Sequence, residues 1–257
     1  MSAVDVHAVV EGPADAPVLL LSNSLGADHT MWDPQVPGLA EHFRVVRYDT
    51  RGHGRSPSSA GDATIDDLTD DVVALLDRLG VDRAHVVGLS IGGMTGLRLA
   101  VREPQRVATL AVLCSSAYTG PASWGDRART ARTEGTGALA GAVVSRWLTP
   151  GYAAAHPDLV ARLQGMVTGA DDEGYAACCA AIAGMDQRAD LPAITAPTLV
   201  VSGADDPALP PEHQQVIADG VPGARLLTLR PAAHLANLEQ AAQVTSALIA
   251  HATGGTA

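Results

Sequence analysis

The stretch His85-Val-Val-Gly-Leu-Ser-Ile-Gly-Gly93 decides the fold, because it joins a short apolar run to a helical pattern through one serine. A serine at such a junction, with a glycine two residues before it and another two residues after it, is typical of a nucleophile elbow. The sharp turn strains the serine backbone, and a side chain at Gly88 or Gly92 would clash where helix and strand pack tightly. The stretch therefore predicts that Ser90 is a nucleophile at the carboxyl end of a strand.

Outward from this stretch, short apolar runs alternate with helical patterns. The runs are unbroken and are bounded by Gly, Asp, Ser or Pro, which is typical of buried parallel strands. They are residues 18–21, 45–48, 85–89, 108–114, 198–202 and 226–229. Residues 66–79 repeat apolar side chains at helical spacing, and Gly80 follows them. The alternation predicts an α/β fold with a mostly parallel, doubly wound sheet.

One part of the chain interrupts this alternation. From about residue 116 to 190 there is no strand-like run, whereas residues 127–147, 157–167 and 173–185 have helical patterns. The interruption follows a strand, and α/β sheets bind ligands at the carboxyl ends of their strands. We therefore expect residues 117–190 to form an inserted helical cap over the site, and residues 1–116 and 191–257 to form the core. A peripheral helical decoration without a role at the site is the alternative.

Charge and cysteine content exclude several classes of protein. The chain has 17 basic residues, all of them arginine, and 28 acidic residues, which gives a formal net charge of −11. Such a surface repels phosphate backbones and anionic lipids, so we expect neither nucleic-acid nor membrane binding. The longest early apolar run is too short for a signal-peptide core or a membrane span. Three cysteines do not make a disulfide framework, so we expect a cytoplasmic protein with reduced thiols, of undetermined oligomeric state.

A serine nucleophile needs a base that takes its proton and a carboxylate that orients the base. His234 follows the last apolar run and Asp206 follows the one before it, so both are expected at carboxyl ends of strands. The neighbouring Asp205 is the alternative carboxylate, and the spacing from Gly203 favours Asp206. We expect Ser90, Asp206 and His234 to form a catalytic triad. The alternative for His234 is a partly buried loop histidine without a catalytic role.

Two backbone N–H groups are candidate oxyanion donors. One belongs to Ile91 at the start of the predicted helix, and the other belongs to Leu25 in the loop that follows the first apolar run. An ordinary Asx turn at Asn23 is the alternative for that loop.

No phosphate-binding loop and no metal-ligand spacing is visible, so we expect no metal and no organic cofactor. Histidines in terminal or polar segments are expected to be solvated: His7, His29, His42, His156, His213 and His251.

At these residues the sequence resembles the α/β-hydrolase superfamily along nearly its whole length. Within the superfamily it is similar to the 3-oxoadipate enol-lactonases, which work in the β-ketoadipate pathway of aromatic degradation. The segments that carry this narrower likeness are residues 22–26, 88–94, 145–150, 173–179 and 233–237. The resemblance implies a serine hydrolase that opens a five-membered enol-lactone, bearing a carboxymethyl group, to 3-oxoadipate through an acyl-enzyme.

An anionic lactone requires a local cation in a protein of net negative charge. Arg127 in the cap is the first candidate, and Arg51 in the polar loop after the second apolar run is another. Trp124 and Trp147 are expected to wall the pocket. The alternatives are cap packing for the tryptophans and ion pairing for the arginines, with Arg129, Arg132 and Arg146 as further candidate cations. A different serine hydrolase of this fold, such as a carboxylesterase or a C–C bond hydrolase, and a ligand-binding protein without turnover are the competing functions.

Overall fold

The computed structural model, which describes residues 2–120 and 124–255, is built on one seven-stranded sheet. The strands are β1 (Ala8–Glu11), β2 (Val18–Ser22), β3 (Arg44–Tyr48), β4 (Ala84–Leu89), β5 (Val107–Leu113), β6 (Thr198–Gly203) and β7 (Arg225–Leu229). Their order across the sheet is β1-β3-β2-β4-β5-β6-β7, with β1 antiparallel to β3 and every other pair parallel. The mostly parallel α/β sheet predicted from the sequence is confirmed.

The helices cover both faces of the sheet and fill the interruption in the strand pattern. They are α1 (Val36–Leu39), α2 (Ile65–Arg78), α3 (Ile91–Arg102), α4 (Trp124–Glu134), α5 (Gly137–Val144), α6 (Pro150–Ala155), α7 (Pro157–Thr168), α8 (Asp172–Gly184), α9 (Pro211–Gly220), α10 (Ala236–Glu239) and α11 (Ala241–Thr253). Short 3-10 helices span His29–Trp32, Pro104–Arg106 and Leu191–Ala193. No helix in the described ranges is both long enough and apolar enough to cross a membrane.

Burial on both faces explains why the central strands β2 and β4 have apolar residues at successive positions. In β2, Leu19 and Leu21 join the hydrophobic cluster on one face of the sheet, and Leu20 joins the cluster on the other. In β4, Val87 belongs to the same cluster as Leu19 and Leu21, and Val86 belongs to the cluster of Leu20 on the opposite face. Since side chains alternate between the faces, a strand covered on both sides needs apolar residues at every position.

The helices α4–α8, called the insertion below, lie between β5 and β6, where the sequence predicts a cap. The structure divides the predicted helix 127–147 at Gly135, where the N–H of Thr136 donates to Asp172 Oδ1 at 2.7 Å. It also adds the short helix α6, which begins at Pro150. The division into a core of residues 1–116 and 191–257 and a cap of residues 117–190 stays a prediction.

Arg51 is part of the buried framework of the core. Its Nε and Nη2 donate to the two carboxylate oxygens of Asp71 at 2.6 and 2.7 Å, and Nη2 also donates to the carbonyl of Asp67. The two charged side chains are only 1% and 2% exposed. The bidentate pair fastens the loop after β3 to α2, so the expectation that Arg51 contacts substrate is corrected: its guanidinium is already occupied inside the fold.

We predict that Asp71→Asn lowers the free energy of unfolding by about 3–5 kcal/mol, because it leaves the Arg51 charge buried without a counterion. The neighbouring Asp70 pairs with Arg102 at 2.7 Å on the surface, with its side chain 40% exposed. Asp70→Asn is therefore the matched control and should cost less than about 1 kcal/mol. Urea denaturation measures both values. Equal losses in the two variants would contradict the assignment of Arg51 to the framework.

Candidate active site

Ser90 stands between β4 and α3 in a backbone conformation that few residues adopt. Its φ is 59° and its ψ is −120°. A Cβ at Gly88 would lie 2.1 Å from the carbonyl oxygen of Gly92, and a Cβ at Gly92 would lie 2.4 Å from that of Ser22. Ser90 is held by its N–H, which donates to Leu113 O at 3.0 Å. The strand-turn-helix context predicted for the serine is therefore present, and both glycines are sterically required.

His234 and Asp206 form a buried pair on the loops that follow β7 and β6. His234 Nδ1 donates to Asp206 Oδ2 at 2.8 Å, and each residue is 3% exposed. The other oxygen, Asp206 Oδ1, accepts the N–H groups of Ala208 and Leu209 at 2.8 and 3.1 Å. The carboxylate is thus fixed, and it orients the imidazole so that Nε2 is the nitrogen left for a reacting group.

The neighbouring carboxylate has a different environment. Asp205 is exposed, and its Oδ2 accepts the N–H of Ala232 at 3.3 Å. The geometry therefore favours Asp206 over Asp205 as the partner of His234. Ser90 and His234 line the same cavity, so the three residues predicted for the triad lie together at the carboxyl ends of β4, β6 and β7.

The loop that carries Leu25 is held by the side chain of Asn23. Asn23 Nδ2 donates to Tyr48 O at 2.7 Å, and its Oδ1 accepts the indole N–H of Trp32 at 3.0 Å. Its carbonyl accepts the N–H of Gly92 at 3.0 Å, which ties the loop to the start of α3. The side chain of Asn23 is therefore used for tertiary contacts. Leu25 lines the cavity beside Ser90. The oxyanion roles of Leu25 and Ile91 stay predictions.

The cavity above Ser90 has a volume of about 130 Å³ and lies between the core and the insertion. Trp124, Arg127 and Trp147, all predicted to contact substrate, line it, and Arg146 lines it as well. Two other candidate cations are paired elsewhere, Arg129 with Asp126 and Arg132 with Asp62 and Glu173. Residues 121–123, directly before α4, lie outside the described chain.

Two arginines give this cavity a positive wall. Within the described residues neither Arg127 nor Arg146 forms an ion pair, and the Cζ of Arg127 lies 4.8 Å above the ring of Trp124. Burial lowers the pKa of Arg146, and the nearby charge of Arg127 lowers it further. Burial raises the pKa of Tyr175, while the charges of the two arginines oppose that shift. The Tyr175 side chain is fully buried and is not among the residues that line the cavity. The wall is therefore suited to an anion that enters the cavity.

Two residues at the site were missed by the sequence analysis. His213, expected to be solvated, lines the cavity, with its Nδ1 2.8 Å from Ser116 Oγ. Glu239 accepts the N–H of Ala233 at 2.6 Å with one oxygen and both the N–H and the hydroxyl of Thr149 with the other. Glu239 therefore connects the loop of His234 to the insertion. Its only sequence signal is its position five residues after His234.

The chain is similar in sequence and in structure to known proteins. The model of the alpha/beta hydrolase fold family matches residues 17–241. The chain is 39% identical to "3-oxoadipate enol-lactonase 2" of Acinetobacter baylyi over 230 residues, covering 89% of this chain and 86% of the relative. It is 36% identical to "Putative carbamate hydrolase RutD" of Variovorax paradoxus, covering 95% and 94%. The crystal structure of the enol-lactonase from Burkholderia xenovorans LB400 superposes with a TM-score of 0.95, at 42% identity, covering 98% of this chain and 99% of that one.

We predict that Ser90→Ala and His234→Ala each reduce turnover by roughly a million-fold, because nucleophile and base act as one unit. Initial rates with an activated aryl ester, on variants shown to be folded by circular dichroism, give the measurement. A variant that keeps more than about a tenth of the wild-type rate would remove its residue from the proposed triad.

The two adjacent carboxylates provide a matched pair. Asp206→Asn should lower kcat by about 10⁴-fold, because an amide no longer enforces the imidazole tautomer that the serine requires. Asp205→Asn, one residue away and exposed, should leave kcat nearly unchanged. The same ester assay compares them, and a reversed order of effects would assign the orienting role to Asp205.

Proposed function

The chain belongs to the α/β-hydrolase family, and we propose that it is a serine hydrolase that opens 3-oxoadipate enol-lactone to 3-oxoadipate. The observation that carries the proposal is the positive wall of the catalytic cavity. In a chain of net charge −11, Arg127 and Arg146 face the cavity without a carboxylate partner among the described residues. A substrate that carries a free carboxylate in addition to its reacting carbonyl matches this arrangement.

The residues around Ser90 support acyl transfer. Ser90 Oγ attacks the lactone carbonyl while His234 takes its proton, and Asp206 stabilises the imidazolium. The N–H groups of Leu25 and Ile91 donate to the oxygen that becomes negative. The acyl C–O bond of the ring then breaks, and the ring oxygen departs as an enolate.

The leaving enolate stays covalently attached to the acyl-enzyme, because the substrate is cyclic. It can attack the ester again unless it is protonated and ketonises. His234, now protonated, can supply that proton, after which the neutral imidazole takes a proton from water. The water oxygen adds to the acyl carbon, and Ser90 leaves with its proton restored. The product carries the original carboxylate, the new carboxylate and a ketone.

In this proposal, the residues that bind the substrate carboxylate are different from the residues that carry out the acyl transfer. Arg127 lies over Trp124 at the beginning of α4, and Arg146 directly precedes Trp147. The tryptophans supply apolar walls for the ring, and the arginines supply donors for the carboxylate. The likeness to proteins named 3-oxoadipate enol-lactonase, at 39% and 34% identity, supports the same substrate.

A carboxylesterase or a carbamate hydrolase is the second candidate. The 36% identity to the protein named putative carbamate hydrolase, over nearly the full length of both chains, favours it. An assay of the enol-lactone beside a simple aryl ester and a carbamate separates these functions. The proposed function requires the lactone to be the preferred substrate, and preference for either of the others would overturn it.

We predict a preference for the anionic enol-lactone over its neutral methyl ester of about 1.5–3 kcal/mol, or roughly 10- to 150-fold in kcat/KM. Arg127→Met should remove most of this preference while a small neutral aryl ester is still hydrolysed, because nucleophile and base are unchanged. Ring opening is followed directly for both lactones.

Arg129→Met is the matched control, since Arg129 lies two residues further along α4, is 67% exposed and pairs with Asp126. It should retain the full preference for the anion. Equal kcat/KM values for the acid and the methyl ester in the wild-type protein would contradict the enol-lactonase proposal and favour the generic esterase.

A further inference from the structure

Two histidines and one carboxylate meet outside the catalytic cavity. His7 Nδ1 lies 3.0 Å from Asp49 Oδ2, and His29 Nδ1 lies 2.8 Å from Asp49 Oδ1. One possible ligand atom from each residue lies within 4.8 Å of the others. We propose that this cluster is a binding site for one first-row transition-metal dication of the Zn²⁺ type, separate from the hydrolytic site.

The donor set matches such an ion. Imidazole nitrogen together with carboxylate oxygen is a common ligand combination for Zn²⁺, and three protein ligands leave the fourth tetrahedral position to water. Without an ion, each Nδ1 donates its proton to Asp49. A metal takes the place of that proton, which moves to Nε2 or is released to solvent, so that the neutral ring offers its Nδ1 lone pair. With bonds of about 2.0–2.1 Å, ligand atoms around a tetrahedral ion lie roughly 3.3 Å apart. The two nitrogen–oxygen distances are close to this value, and the possible ligand atoms of all three residues lie within 4.8 Å of one another, so a bound ion would draw the three groups together.

The carboxylate is held in place before any ion arrives. Asp49 is fully buried, and the backbone N–H groups of His29 and Arg55 donate to its two oxygens at 2.7 and 3.0 Å. Both oxygens of the central carboxylate are therefore oriented by the backbone before an ion binds.

The histidine rings leave a path for an ion. Their side chains are 20% and 16% exposed, and the ring centroids lie 5.3 Å apart. The neighbouring guanidinium of Arg47 is neutralised by Glu11 and Asp33, with contacts of 2.5 and 2.7 Å, which limits its repulsion of a cation. The two rings are therefore partly open to solvent, whereas the carboxylate between them is buried.

A bound ion would join three segments that are distant in the sequence. His7 directly precedes β1, His29 begins a 3-10 helix, and Asp49 directly follows β3. The same 3-10 helix contains Trp32, whose indole holds Asn23 at the base of the Leu25 loop. The site would therefore stabilise the fold beside the candidate oxyanion loop and take no part in the reaction itself.

The test is a titration of chelator-treated, tag-free, full-length protein with zinc chloride, followed by calorimetry and by competition with a chromophoric zinc indicator. We expect one ion per chain with a micromolar dissociation constant and a rise in Tm on zinc addition. His7→Gln and His29→Gln should each weaken binding by at least about tenfold and remove the rise in Tm. Ser90→Ala should bind zinc like the wild type, because the cluster is separate from the catalytic residues.

His156→Gln is the matched control, since His156 is exposed and its Nδ1 bonds only to the carbonyl of Tyr152. It should bind zinc like the wild type. His7 lies in an irregular segment, so His7→Gln tests the site even where His29→Gln fails to fold. Absence of saturable one-to-one binding in the wild type would overturn the proposal. Wild-type affinity in His7→Gln would overturn it as well.

Discussion

The close approach of α3 to the ends of β4 and β2 is the constraint on which the site depends. There is no room for a side chain at Gly88 or Gly92, where a Cβ would lie 2.1 and 2.4 Å from backbone oxygens. The residue between strand and helix, Ser90, consequently takes a φ of 59° and stands at the edge of the sheet. The same approach brings the N–H of Gly92 to the carbonyl of Asn23. This contact between Gly92 and Asn23 holds the start of α3, with Ser90 and Ile91, next to the loop that carries Leu25.

The core and the insertion contribute different physical properties to the cavity. The core supplies rigid backbone and the buried pair of His234 and Asp206, whose geometry must be maintained within a few tenths of an ångström for acyl transfer. The insertion supplies Arg127 and Arg146, whose charges act over longer distances and tolerate more variation in position. This division explains how related hydrolases that share one fold can act on different substrates.

Parts of the molecule whose signals are local in sequence were predictable. The central strands were visible because burial on both faces leaves long apolar runs. The short edge strand β1 was missed because it is only partly buried and its apolar run ends after three residues, at Glu11. The sequence also placed the candidate triad residues Ser90, Asp206 and His234 after strands, where the structure has them. Arg51 was misjudged because its partner, Asp71, lies 20 residues away on α2. Likewise, nothing in the sequence places His7 and His29 on the same carboxylate.

The two oxygens of Glu239 are bonded to different parts of the molecule, one to Ala233 beside His234 and the other to Thr149 in the insertion. The N–H of Leu235 adds a second connection, to the carbonyl of Trp147 at 2.8 Å. The helical segment and the histidine loop are therefore fastened to each other at two places. A chimaera that took only the helices of a relative would acquire a new binding surface, and it would have to form both contacts again to keep His234 in position.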